Sequence, residues 1–134
     1  MRGNVVLPLL ACALLAGCSP EPNNIEREAV ERMFASVPES PEWDLNSPMV
    51  WGYFFEGQNE STLEPLRVEL ERRGYQFVGY LAPGRRNKLQ TYFLHVERVE
   101  SHSVESLDRR NQELTVLGNQ FQARYDGMDV GPPK

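Results

Sequence analysis

Cysteine is scarce in this chain of 134 residues: there are two, Cys12 and Cys18, and only two histidines, His95 and His102. A metal site needs three or four converging ligands, so a cysteine-rich metal domain is excluded and no metal is expected. Basic residues are outnumbered, 14 Lys and Arg against 19 Asp and Glu, for a formal charge of −5. Phosphate backbones repel a net acidic chain, so nucleic acid is not an expected partner. The catalytic glycine signatures are missing too: no Gly-x-Ser-x-Gly, Walker-type or dinucleotide pattern occurs. Ser61, Ser101, Ser103 and Ser106 fall at helix starts or turns, where capping explains them. No enzyme activity and no cofactor are expected.

What is present begins at the amino terminus. Arg2 precedes an apolar run from Val5 to Leu15. As a helix this run reaches about 16 Å, short of the roughly 30 Å core of a bilayer but right for a signal h-region. Leu15-Ala16-Gly17-Cys18 resembles the lipobox of bacterial lipoproteins. The resemblance implies a signal peptide over residues 1–17, cleavage before Cys18, and acylation of Cys18 on its sulfur and new amine. Several acyl chains, at about 0.8 kcal/mol per buried CH₂, hold far more firmly than one. Ser19, and not Asp, follows the cysteine, which by resemblance to Gram-negative sorting rules favours the outer membrane, facing the periplasm. Cleavage also removes Arg2 and Cys12, so the mature charge becomes −6 and no thiol is left for a disulfide.

Residues 18–48 read as a lipidated tether with a short helix and a proline-bearing loop. Ile25, Ala29, Val30, Met33 and Phe34 have helical spacing, with Asn24 as the expected N-cap. Pro38, Pro41 and Pro48 mark the loop. A compact domain is expected over residues 49–131, with 132–134 as a tail. Met49 to Phe55 reads as a strand ending at Gly57. Ser61 to Glu64 is a possible capping box, and Pro65 requires its helix to start between Thr62 and Glu64. Leu63, Leu66 and Leu70 form the stripe of that helix, and Gly74 its stop. Tyr75 to Leu81 reads as a second strand, Arg85 to Lys88 as a charged turn, and Leu89 to Val99 as a third strand. Ser103 caps a second helix with its stripe at Val104, Leu107, Leu114, Leu117 and Phe121. Asn111 falls within that stripe and is expected to be a hydrogen-bonded core amide. A last strand spans Ala123 to Val130. This order predicts an α+β, ferredoxin-like βαββαβ fold, an antiparallel sheet with two helices on one face, preceded by a short helix.

Four features in this order carry a second resemblance. They are the aromatic strand Trp51-Gly52-Tyr53-Phe54-Phe55, the helix end Arg73-Gly74-Tyr75, the third strand running into an acidic, serine-rich helix start, and the closing Tyr125-Asp126-Gly127-Met128-Asp129. Together they resemble the RraB family, the regulators of ribonuclease E activity, over roughly Ile25 to Gly131. Met128 stands where an aromatic is more usual. The resemblance implies protein binding without catalysis. Ribonuclease E works on the cytoplasmic side of the inner membrane, which a secreted chain does not reach. For Tyr125, Asp126 and Gly127 the structural reading is a tight bend or bulge with the ring packed on a helix.

One question concerns the sheet's faces. In the first strand Met49, Trp51, Tyr53 and Phe55 alternate with Val50, Gly52 and Phe54, and both sets hold bulky rings. If Val50 and Phe54 point inward, then Trp51, Tyr53 and Phe55 line the open face, joined by Phe93 and His95, as a partner-binding patch. Such a patch could equally be shielded by the leading helix or serve a homodimer. His95 and Glu97 can share a face, and a solvated strand surface is the expected account of the histidines. Asn59-Glu60-Ser61 matches a glycosylation sequon but reads as a turn before a helix. The expected function is thus a membrane-anchored, non-catalytic protein-interaction module in the cell envelope, its partner a protein of unknown identity. The alternative is a ribonuclease E inhibitor-type regulator of RNA decay, if the chain stays cytoplasmic. An RNA-recognition module shares the topology, but Leu89 to Val99 lacks its glycine and most of its positive charge.

Overall fold

A computed structural model of the protein describes residues 22–83 and 91–133. Cys18 with the apolar segment ahead of it, and the turn Arg85 to Lys88 with Leu89, lie outside the described residues. In chain order the elements are α1 (Arg27–Ala35), β1 (Met49–Gly57), α2 (Glu60–Arg72), β2 (Gln76–Leu81), β3 (Tyr92–Glu100), α3 (Val104–Gln120) and β4 (Arg124–Gly131). The strands form one sheet in the order β2-β3-β1-β4, and every neighbouring pair is antiparallel. The described residues therefore form an α+β fold, with a four-stranded antiparallel sheet and three helices.

β1 lies in the middle because it is the bulkiest strand. Met49, Trp51, Tyr53 and Phe55 are buried. Leu63, Leu66 and Leu70 of α2 and Leu107, Leu114 and Leu117 of α3 join them in one core. Leu94 and Val96 of β3 and Tyr125 of β4 complete the layer beneath the helices. The segment ahead of the sheet belongs to the same body. Val30 of α1 and Leu45 of the loop are buried in that core, and α1 lies against α3.

Several helix ends follow the expected chemistry and two depart from it. α3 is capped by Ser103, which accepts from the Ser106 N–H at 3.1 Å while the Ser106 hydroxyl oxygen accepts from the Ser103 N–H at 2.8 Å. α2 ends in a two-bond C-cap: Tyr75 N–H donates to Leu70 O and Gly74 N–H to Glu71 O, each at 3.0 Å, with Gly74 at φ +98°. That is the Schellman arrangement, and it calls for glycine. α2 begins earlier than the expected Thr62–Glu64 start, because Asn59 is the cap and accepts from Thr62 N–H at 2.9 Å. Pro65 consequently stands inside the helix, and Glu64 is bonded to Arg67 and Tyr80 and takes no part in a capping box. α1 starts after Glu26, whose side chain makes no cap. Asn24, the expected cap, donates its backbone N–H to Thr115 Oγ1 at 3.0 Å and its amide to Tyr125 O at 2.9 Å. It stitches the entering chain to α3 and β4.

Two register breaks mark the outer strands, one in β2 between Phe77 and Gly79 and one in β4 opposite Phe54 and Phe55. In β4, Phe54 pairs with Gly127 and Phe55 with Tyr125, so Asp126 is the extra residue of a bulge. Gly127 has φ +141°.

Replacing Gly74 with alanine puts a Cβ into left-handed backbone at the α2 cap. The expected cost is about 1–2 kcal/mol, seen as a lower urea midpoint with an unchanged m-value.

Candidate functional site

Among the described residues the helices cover only the Trp51 side of the sheet. Cross-strand partners share a face, so the register assigns the other side. Val50 pairs with Val99 and Gly131, Gly52 with Glu97 and Asp129, Phe54 with His95 and Gly127, and Glu56 with Phe93. On β2, Gly79 pairs with His95 and Leu81 with Phe93. This corrects the expected assignment of β1. Trp51, Tyr53 and Phe55 are 0% exposed, beneath α2 and α3, and do not line the open face. Their larger combined volume fills the space under the helices, whereas the set Val50, Gly52 and Phe54 is interrupted by a residue without a side chain. Phe93 and His95 do lie on the open face, with Phe54 opposite His95 and with Val50 further along the same face, opposite Val99. α1 does not shield it, since that helix packs on α3.

The centre of this face has a defined geometry. The His95 ring stacks on Phe54, with centroids 4.3 Å apart and planes 17° apart. Its Nε2 is buried without a hydrogen bond among the described residues, and Glu97 Oε2 stands 3.8 Å away. The Asp129 carboxylate folds over Gly52. A Cβ on Gly52 would overlap Asp129 Oδ1 and come within 2.9 Å of His95 Nε2. The missing side chain thus makes room for an imidazole and a carboxylate on the middle strand. Beside them Val50, Glu97, Asp129, Val130, Gly131 and Pro132 line a cavity of about 410 Å³. Among the described residues no group of three or more His, Cys, Asp or Glu is placed to hold a metal ion.

A second polar cluster lies where β3 runs into α3, and its members escape a reading of the sequence. Glu100 accepts from Arg110 Nη2 at 2.6 Å, from Arg110 Nε at 3.2 Å and from the Tyr53 hydroxyl at 2.5 Å. His102, 5% exposed, places Nε2 3.0 Å from Glu100 Oε2 and Nδ1 2.9 Å from Ser106 Oγ. The tautomer with hydrogen on Nε2 donates to Glu100 and leaves Nδ1 to accept from the serine hydroxyl. His102 N–H itself donates to Leu45 O at 2.8 Å, and the His102 ring meets Trp51 edge-on at 5.0 Å. The guanidinium groups of Arg98 and Arg110 lie 5.0 and 5.8 Å from the centre of the Tyr75 ring.

Burial pushes the Glu100 carboxyl up, but bonds from His102, Arg110 and Tyr53 outweigh it and hold the group at about 2. Burial, then the bond to Glu100, pushes the Tyr53 hydroxyl well above its usual range. These bonds clamp the end of β3 to α3.

The closing motif is also structural in its contacts. Tyr125 is fully buried and donates its hydroxyl to Asn111 Oδ1 at 2.7 Å, and Asn111 is the core amide expected of its place in the α3 stripe. Burial raises the Tyr125 hydroxyl pKa well above the ordinary value. Asp126 and Gly127 form the bulge, and Asp126 pairs with Arg124 at 2.9 Å.

A carboxyl whose folded pKa is depressed adds stability above its ordinary pKa and loses it as pH falls through the depressed value. Stability supported by Glu100 is therefore complete above about 4.5 and is lost as pH drops towards 2. Urea titrations at stepped pH should show the wild-type midpoint falling over that window, and the fall should be shallower in Glu100→Gln.

No curated protein is matched by the chain. The family described as RraB, regulator of ribonuclease activity B, matches residues 27–130. The matched span opens on the first residue of α1 and closes one residue before the end of β4. The likeness thus extends through the clamp, the bulge and both faces of the sheet, and the chain belongs to the RraB family.

Proposed function

We propose that this protein is a non-catalytic interaction module held at a membrane by acylated Cys18, with a protein partner in the cell envelope. The single observation that carries the interaction reading is the uncovered sheet face of an RraB domain, where Val50, Phe54, Phe93 and His95 lie together beside an acidic cavity. The family is one of regulators of ribonuclease activity, which fits action through binding. The interleaved order β2-β3-β1-β4 supports reading the sheet as the ferredoxin-like split βαβ type.

The anchor reading rests on Leu15-Ala16-Gly17-Cys18 and the charged, apolar segment ahead of it. No helix among the described residues is long and apolar enough to cross a membrane. The acyl group would supply the attachment. Asn23 donates to Asp108 at 3.1 Å, so only Ser19 to Pro22 separate Cys18 from residues bonded to the domain. At roughly 3.5 Å per residue that leash spans less than about 20 Å. The favoured location is the periplasmic side of the outer membrane.

The family's description as a regulator of ribonuclease activity leaves room for a second reading, a ribonuclease E inhibitor-type regulator of RNA decay if the chain stays cytoplasmic. The two are separated by acylation. Radiolabelled palmitate should mark the wild-type protein in cells and leave Cys18→Ala unmarked. An unmarked wild type, or equal marking of both, removes the envelope reading in favour of the cytoplasmic one.

A further inference from the structure

The open face carries an unbalanced charge as well as apolar surface. Its ionised groups among the described residues are Glu56, Glu97, Asp126, Asp129 and Arg124. Arg124 is already paired with Asp126, and among the described residues no other Arg or Lys pairs with Glu56, Glu97 or Asp129. Arg98, next to Glu97 in β3, points to the helix side and lies over Tyr75. Glu97 and Asp129 both pair with Gly52, one from each neighbouring strand. The Asp129 carboxylate and the His95 ring fill the space above Gly52, and Glu97 and Asp129 both line the cavity that opens beside Val50, Val130, Gly131 and Pro132. Apolar surface borders the cavity, with Val50 and Phe54 along β1 and Val99 62% exposed.

We propose that this face docks a protein segment in which arginine or lysine alternates with apolar residues. One cationic side chain enters the cavity beside Val50 that Glu97 and Asp129 line, and its apolar neighbours lie on Val50, Phe54 and Val99. The proposal rests on the interaction-module reading and specifies the partner's chemistry. Three other occupants are disfavoured by charge. A second copy would bring the same acidic face against itself, and an anionic lipid surface or a nucleic acid would be repelled in the same way. A cationic segment gains both the carboxylates and the apolar border.

The test uses the full chain in detergent micelles and three capped hexapeptides: alternating valine and arginine, the same with glutamine for arginine, and the same with glutamate. Titration calorimetry gives affinities, and amide NMR shifts give the location. The arginine peptide should bind with shifts centred on Gly52, His95, Glu97 and Asp129, and the glutamine and glutamate peptides at least about tenfold more weakly. The double variant Glu97→Gln/Asp129→Asn, which alters only surface carboxylates, should lose about tenfold for the arginine peptide. Equal binding of the glutamine peptide, unchanged binding by the double variant, shifts centred on α2 and α3, or no binding overturns the proposal. Palmitate labelling is a separate readout. A chain that binds the arginine peptide but takes no label keeps the docking face and loses the envelope partner, while a labelled chain that ignores the peptide loses the docking face alone.

Discussion

The packing of β1 against two helices sets the terms for everything else in the molecule. Four large side chains, Met49, Trp51, Tyr53 and Phe55, leave the middle strand on one side. Burying an aromatic side chain removes about 150–250 Å² from water, so this side must be roofed. α2 and α3 make that roof with three leucines each. Once both helices lie there, the opposite side of the sheet is left to solvent or to a partner. The same strand that demands a cover on one side places Gly52 at the centre of the other. The bare face and the buried face are two results of one alternating pattern.

The roof needs its edges held, and polar groups do that at two places. At one end Glu100, the last residue of β3, gathers Arg110, His102 and Tyr53. Breaking a buried ion pair by deleting one partner is costly because the other charge is left stranded. The cluster therefore fixes where β3 stops and how α3 leaves it. At the other end Asn111 holds the Tyr125 hydroxyl while Asn24 holds the Tyr125 carbonyl. That single tyrosine joins α3, β4 and the entering chain. The family's closing motif is thus explained by architecture, with Asp126 and Gly127 supplying the backbone geometry that turns Tyr125 inward.

Much of this is legible in the chain because it is local. Gly74 stops α2, Ser103 starts α3, and Asn111 lies at core spacing between leucines, each by chemistry confined to a few residues. The faces of β1 are harder to read because both alternating sets hold rings. The decisive difference is volume: one set carries a glycine where the other carries tyrosine or tryptophan, and the roofed side takes the fuller set. The Glu100 cluster is illegible for another reason. Its members are drawn from β1, β3, the β3–α3 junction and α3, and they meet only when the sheet order brings those ends together. The α2 start shows a competition between caps, in which Asn59 reaches the Thr62 N–H and Ser61 becomes an ordinary first-turn residue.

The two bulges have a further bearing on how the molecule lives among its own copies. β2 and β4 are the outermost strands, and each presents unpaired backbone groups along one side. A long straight border of that kind recruits another chain and seeds polymers. Here both borders are broken, β2 between Phe77 and Gly79 and β4 at Asp126. The kinks interrupt the regular spacing that an incoming strand would have to match. Growth of one copy's sheet onto another's would then stall at those kinks, and an edge that resists its own kind leaves the chain free to meet other partners.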